Sequence, residues 1–145
     1  MRYMKQYLFP PSVILLLIAF ASCNDRYPVA PEVSQLYGTW QWLRSVGGIM
    51  GEVRTPKSTG HTGKAIFHFD GTVAFYRDDI LVEQYRYTIT REKLYPNAQE
   101  ALIIEFLGAP APSNKQTISY QGVDTLFLSD LCMDCYQHTY ARIKQ

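Results

Sequence analysis

From residue 36 onward, apolar residues recur at every second position in short runs, the spacing of pleated strands with one buried face. Trp40 and Trp42 share a face. Phe67 and Phe69 share another, with Lys64, Ile66, His68 and Asp70 opposite. Val73 pairs with Phe75, and Leu81, Tyr85, Tyr87 and Ile89 form a row interrupted by Glu83. Ile104 with Phe106, then Leu126 with Leu128, continue the pattern, and all of these are assigned to the interior. The run 101–107 is two-sided, because Ile103 and Leu107 are apolar as well. No apolar period of 3.6 residues long enough for a helix follows residue 36. Period two therefore predicts eight strands: 37–46, 64–70, 72–77, 80–90, 101–107, 115–120, 124–129 and 136–143.

The links carry turn chemistry. Asp70-Gly71 between alternating runs is a tight-turn signal, and Asp78-Asp79 and Gln121-Gly122 suit short turns too. Two links are longer: 47–63 holds five glycines and one proline, and 108–114 reads GAPAPSN. Consecutive strands joined mostly by short turns point to an all-β fold, an eight-stranded antiparallel up-and-down β-barrel, which leaves no exposed sheet edge. The interior of such a barrel is either filled by side chains or holds one small ligand.

The N-terminus changes the picture of where this barrel resides. Arg2 and Lys5 precede the short apolar run 13–21, and the small residues Ala21 and Ser22 precede Cys23. The run is too short for a membrane-crossing helix and has the order of a signal peptide. It resembles the lipobox of secreted bacterial lipoproteins, which implies cleavage before Cys23 and lipidation there. The expected division is a signal peptide over 1–22, a lipidated, proline-containing tether over 23–35, and a barrel domain over 36–145. Loss of Arg2 and Lys5 takes the formal net charge from +1 to −1. A near-neutral domain has no electrostatic footprint for nucleic acid. The expected location is the cell envelope, anchored by lipid to a membrane (the outer membrane), with the domain periplasmic or surface-exposed.

Gly38-Thr39-Trp40 on the first strand resembles the G-x-W signature of lipocalins. That resemblance implies that Gly38 lets the chain cross the closed end of the barrel and that Trp40 plugs it. It also implies that an arginine of the last strand, here Arg142, packs over the ring. The order LYGTWQW, GGIMG, TPKSTG, FDGT and LFLSDLCMD is similar to lipocalin-like lipoproteins of Bacteroidetes over nearly all of 36–143. The chain is shorter than the longer lipocalins and lacks their C-terminal helix and T-D-Y loop motif. Two readings follow: a carrier of a small apolar or amphipathic molecule, and a filled barrel whose loops bind another envelope protein.

Chemistry-bearing motifs are few. STGHTGKA, residues 58–65, is not a phosphate loop: Ser58 replaces the first glycine, Ala65 replaces the magnesium-binding Ser or Thr, and a strand follows. Cys132 and Cys135 lie between predicted strands beside Asp130 and Asp134, not at a helix N-terminus that would activate a thiol. With His138 they make three metal ligands, and His61 or His68 would have to come from elsewhere, with no second Cys-x-x-Cys present. The expectation is no metal, no other cofactor, and a structural role for the pair: a small disulfide ring, or two reduced thiols, in the last turn. No serine or cysteine nucleophile has a base at recognisable spacing, so the chain reads as non-catalytic. Candidate lumen residues are Trp42, Phe67, Phe75, Tyr85, Tyr87 and His138. Arg44, on the parity of Trp40 and Trp42, would join Tyr85, Tyr136 and His138 in a polar spot for a ligand carboxylate or hydroxyl.

Overall fold

The structure, a computed structural model, describes residues 30–96 and 98–144. The expected signal segment and the expected lipidation site, Cys23, lie outside the described residues. Two four-residue helices, α1 (Pro31–Ser34) and α2 (Pro56–Thr59), accompany nine strands. These are β1 (Gly38–Gly47), β2 (Glu52–Arg54), β3 (Gly63–Phe67), β4 (Thr72–Arg77) and β5 (Ile80–Lys93), then β6 (Glu100–Leu107), β7 (Lys115–Gln121), β8 (Thr125–Asp130) and β9 (Tyr136–Arg142). All pairings are antiparallel, each strand from β3 onward joins the next, and β1 pairs both β3 and β9. The eight strands β1 and β3–β9 thus close into an up-and-down barrel, as the period-two pattern predicts.

The ninth strand, β2, lies inside the long link. It pairs with the end of β1 (Ser45↔Arg54 to Gly47↔Glu52), on the edge that β3 occupies only as far as Gln41. Turn chemistry sets the other boundaries. Asp78 and Asp79 both take left-handed φ angles of 49° and 62°, the pattern of a two-residue hairpin turn. Asp70 accepts hydrogen bonds from the Thr72 amide (2.9 Å) and hydroxyl (2.7 Å), which ends β3 at Phe67. Phe69 consequently sits in the turn and points to solvent, not inward. Leu81 is also exposed. A bulge at Val82 (Phe75↔Glu83, then Tyr76↔Leu81) flips parity at the start of β5. On β6, Ile104 and Phe106 face the interior, while Ile103 is buried on the outer side and Leu107 is exposed.

The core fills one end. Trp40, Phe67, Val73, Ile104, Leu126 and Leu128 are sealed from water, with Leu36 packed among them. The Trp40 indole N–H donates to the Leu36 carbonyl at 2.7 Å. The Arg142 guanidinium lies 4.1 Å from the Trp40 ring centroid. It donates to the carbonyls of Val123 (3.0 Å), Tyr37 (2.9 Å) and Gln35. Gly38 has φ +119°, and a β-carbon there would come within 3.1 Å of Arg142 Nη1. Residues 31–35, the last of the segment expected as a tether, take part in this closure. Glu32 of α1 pairs with Arg91 at 2.6 Å, the Tyr120 hydroxyl donates to the Glu32 carbonyl at 2.8 Å, and the Gln35 side chain donates to the Gly122 carbonyl at 2.7 Å.

Arg142→Ala removes a charged fork bonded to three carbonyls together with its contact on an indole face. It is expected to lower unfolding free energy by roughly 2–4 kcal/mol. Arg142→Lys, which keeps the charge without the planar fork, should recover only part of that. Urea unfolding of the two variants checks both.

Candidate ligand site at the barrel mouth

Above the Trp40 layer the interior is open. Two lobes of about 320 and 520 Å³ share Phe75, Arg77, Glu83, His138 and Tyr140. The first adds Trp42, Ser45 and the segment from His61 to Lys64, and the second adds Tyr85, Phe106, Gln116 and the loop from Ala109 to Ser113. Rings line one side: Phe75 meets Phe106 edge-on at 5.7 Å and Tyr85 at 6.5 Å.

A second bulge arranges the opposite wall. Trp42 pairs with Tyr140 and Arg44 with Thr139, so Leu43 is an extra residue on β1 and parity flips beyond it. Arg44 points to solvent and leaves the polar spot to which period two assigned it. Ser45 takes the inward place, opposite His138. The Trp42 indole N–H donates to Ser45 Oγ at 2.9 Å, and Ser45 Oγ lies 2.6 Å from His138 Nδ1. On the far side of the imidazole, Nε2 faces Asp130 Oδ2 at 3.8 Å. Asp130, its side chain only 3% exposed, accepts from Gln116 Nε2 at 2.8 Å and from the Tyr136 amide at 3.3 Å. Burial lowers the pKa of His138, and the Asp130 carboxylate offsets this only in part. Burial also raises that of Tyr140, so its phenol stays protonated. The wall therefore presents a neutral imidazole and a neutral hydroxyl.

The link between β1 and β3 folds over this opening. The His61 ring stacks on Trp42 at 5.9 Å and 12° between planes. Asp78 accepts from the Thr62 amide (2.7 Å) and hydroxyl (3.1 Å), bonds that lower its pKa. A capping box between Thr55 and Ser58 starts α2. Tyr136 reaches across Gly47 to donate its hydroxyl to Glu52 at 2.8 Å, and Arg54 lies over its ring at 4.6 Å. Only glycine fits at 47, because a β-carbon there would sit 2.2 Å from the Cys135 carbonyl oxygen.

Of the candidate lumen residues, Trp42, Phe75, Tyr85 and His138 line the cavity. Phe67 and Tyr87 pack in the layer below, their rings edge to face at 5.7 Å, and do not reach it. Tyr136 belongs to the rim, bonded to β2, and Arg44 lies outside. Ser45, Gln116 and Tyr140 complete the polar wall, with Asp130 buried behind His138. Gln116 and Asp130 continue the inward parities of Ile118 and of Leu126-Leu128, so one more period-two step locates them. No sequence signal marks Ser45, because the bulge does not show in the hydrophobic pattern.

Cys132 and Cys135 face each other at disulfide distance, Cα to Cα 5.5 Å, in the loop from β8 to β9. Among the described residues, no three His, Cys, Asp or Glu side chains converge as a metal site would require. Comparison with family models, curated proteins and solved structures gives no match to this chain.

A histidine buried neutral makes stability depend on pH. Below about pH 6.5 the unfolded chain protonates this ring while the folded chain resists it. Stability should therefore fall as pH drops from there toward the lowered folded pKa of His138, and be flat just above. His138→Gln should remove that slope in urea titrations at pH 7.5 and 5.5. The lowered carboxyl pKa values of Asp70 and Asp78 produce a separate loss at more acidic pH.

Proposed function

We propose that the protein is a lipid-anchored envelope carrier whose lipocalin-like barrel takes one small amphipathic molecule through its open end. The carrying observation is the open cavity at the barrel mouth: adjoining lobes of about 320 and 520 Å³ with aromatic rings on one side, neutral polar groups on the other, and Arg77 and Glu83 shared between them. Sites for small ligands are concave, mainly apolar, and set by a few placed polar groups. The apolar part would lie against Trp42, Phe75, Tyr85 and Phe106, and a hydroxyl or carbonyl would reach His138 or Gln116. Kinship with lipocalin-like lipoproteins is supported by the order of motifs from Gly38-Thr39-Trp40 to Arg142. It is supported also by the stacking of that arginine on that tryptophan. The alternative, a filled barrel acting through its loops, needs an interior packed to the rim.

Lipidation at Cys23 is supported by the charged start, the apolar run and the small residues before it. A fully extended chain from Cys23 to Ala30 reaches at most roughly 25 Å. The first described residues close the barrel's filled end. In this reading the filled end sits against the anchoring membrane and the mouth faces away from it.

Titration with N-phenyl-1-naphthylamine tests the carrier. Saturable, one-to-one binding should raise the emission of the probe, and Trp42→Ala, which removes a ring from the cavity wall, should weaken the apparent affinity. Native mass spectra should show one added molecule. Failure of the probe and of envelope lipid extracts to add mass would leave the filled module as the better account. Separately, Cys23→Ser should move the protein from the membrane fraction to the soluble one and remove the mass of the acyl chains.

A further inference from the structure

Ser45 is only 5% exposed, and its hydroxyl oxygen has a hydrogen-bond partner on each side. The Trp42 indole can only donate, so it occupies one lone pair of Ser45 Oγ; in the tautomer with Nδ1 unprotonated, the hydroxyl proton is directed at His138 Nδ1, 2.6 Å away. With Nδ1 accepting, the neutral ring carries its proton on Nε2, the nitrogen 3.8 Å from Asp130 Oδ2. That separation is too long for a hydrogen bond. It is a charge contact, which strengthens when the ring takes a second proton. Asp130 is held in place by Gln116 and the Tyr136 amide. Hydroxyl and neutral imidazole thus line a lobe of about 320 Å³, with the buried carboxylate behind the ring, the order in which a base activates a nucleophile.

We propose that Ser45, with His138 as its base, is a nucleophile toward carboxylic esters that enter this lobe, and that Asp130 is a positioning residue. The proposal rests on reading the cavity as a ligand site. Ser45 Oγ forms a bond to the ester carbonyl carbon while its proton passes to His138 Nδ1. The carbon–alkoxy bond then breaks, and the alcohol leaves with that proton. Water, deprotonated by the same imidazole, cleaves the acyl-serine to a carboxylic acid and restores the hydroxyl. Burial keeps His138 unprotonated and so able to accept. Arg77 lines the same lobe and is the cation at hand for the developing oxyanion.

The full-length protein in detergent micelles, treated with a fluorescent fluorophosphonate, tests this. Attack forms the Oγ–phosphorus bond and expels fluoride, and the proton goes to His138. One label is expected, mapped to Ser45 by peptide mass and absent in Ser45→Ala. His138→Gln should slow labelling by roughly 100-fold or more while a cooperative thermal melt is retained. Asp130→Asn should move the pH midpoint of the labelling rate downward. The other charged or titratable groups facing the imidazole (Tyr136, Tyr140, Arg77, Glu83 and His61) are unchanged in that variant. A protein that binds N-phenyl-1-naphthylamine one to one but takes no label, or keeps the label in Ser45→Ala, overturns the nucleophile and leaves the carrier standing. A protein that does neither overturns both readings.

Discussion

The pairing of β1 with β9 constrains everything else. An antiparallel sheet of eight strands becomes a barrel only if its first and last strands meet, and here they meet along most of β1, from Trp40↔Arg142 to Gly47↔Tyr136. Closure removes the exposed edges that make sheets prone to association. It also brings the two ends of the domain together, so one cation from the last strand can bind the chain that enters the first. Arg142 does this with three carbonyls and one indole face. The groups it satisfies, at Gln35, Tyr37 and Val123, belong to irregular backbone that crosses the barrel end, where no ladder bond is offered.

The same seam creates the opening. A barrel of eight strands has an interior just wide enough for side chains to fill. Large rings fill it at the level of Trp40 and Phe67. Higher up, the residues facing inward from the seam are smaller or polar: Ser45, Gly47 and His138. The bulge at Leu43 is the cause on β1. Without it, Arg44 would enter and Ser45 would leave, and a guanidinium would stand beside His138 where a hydroxyl now stands. A cation there would favour anions and oppose protonation of the ring, whereas the present wall is neutral and sits near one buried carboxylate. Opposite, β3 leaves β1 after Gln41, and the vacated edge is taken by β2. That exchange lets the 48–62 segment fold over the mouth while its backbone groups still find partners.

Most of this architecture is legible in residue order. Period two and turn residues give the eight barrel strands within a few positions. They also place Asp78-Asp79 in a hairpin and Cys132-Cys135 in the final loop. Two of the failures share one cause. Parity arithmetic assumes one residue per partner, and each bulge breaks it: at Leu43, which misplaces Arg44 and hides Ser45, and at Val82, which misplaces Leu81. Bulges are backbone events of low sequence cost, so they leave little compositional trace. Phe69 fails differently, because the Asp70–Thr72 bonds end the strand before the alternation ends. The strand β2 and helix α2 were hidden in a glycine-rich stretch too short for any period to register.

What the barrel can do therefore turns on polar groups that hydrophobic patterning cannot see. Buried polar groups are ordinarily satisfied, and each member of this set has a partner: Trp42 with Ser45, Ser45 with His138, Asp130 with Gln116. A satisfied network can be purely structural, a ligand anchor or a reactive relay, and these differ in what still faces the cavity. This one keeps Ser45 and His138 on the cavity wall, with the imidazole neutral and its carboxylate partner behind it. In the proposed carrier, this donor–acceptor chain at the surface of the void is where the polar group of a guest would bind.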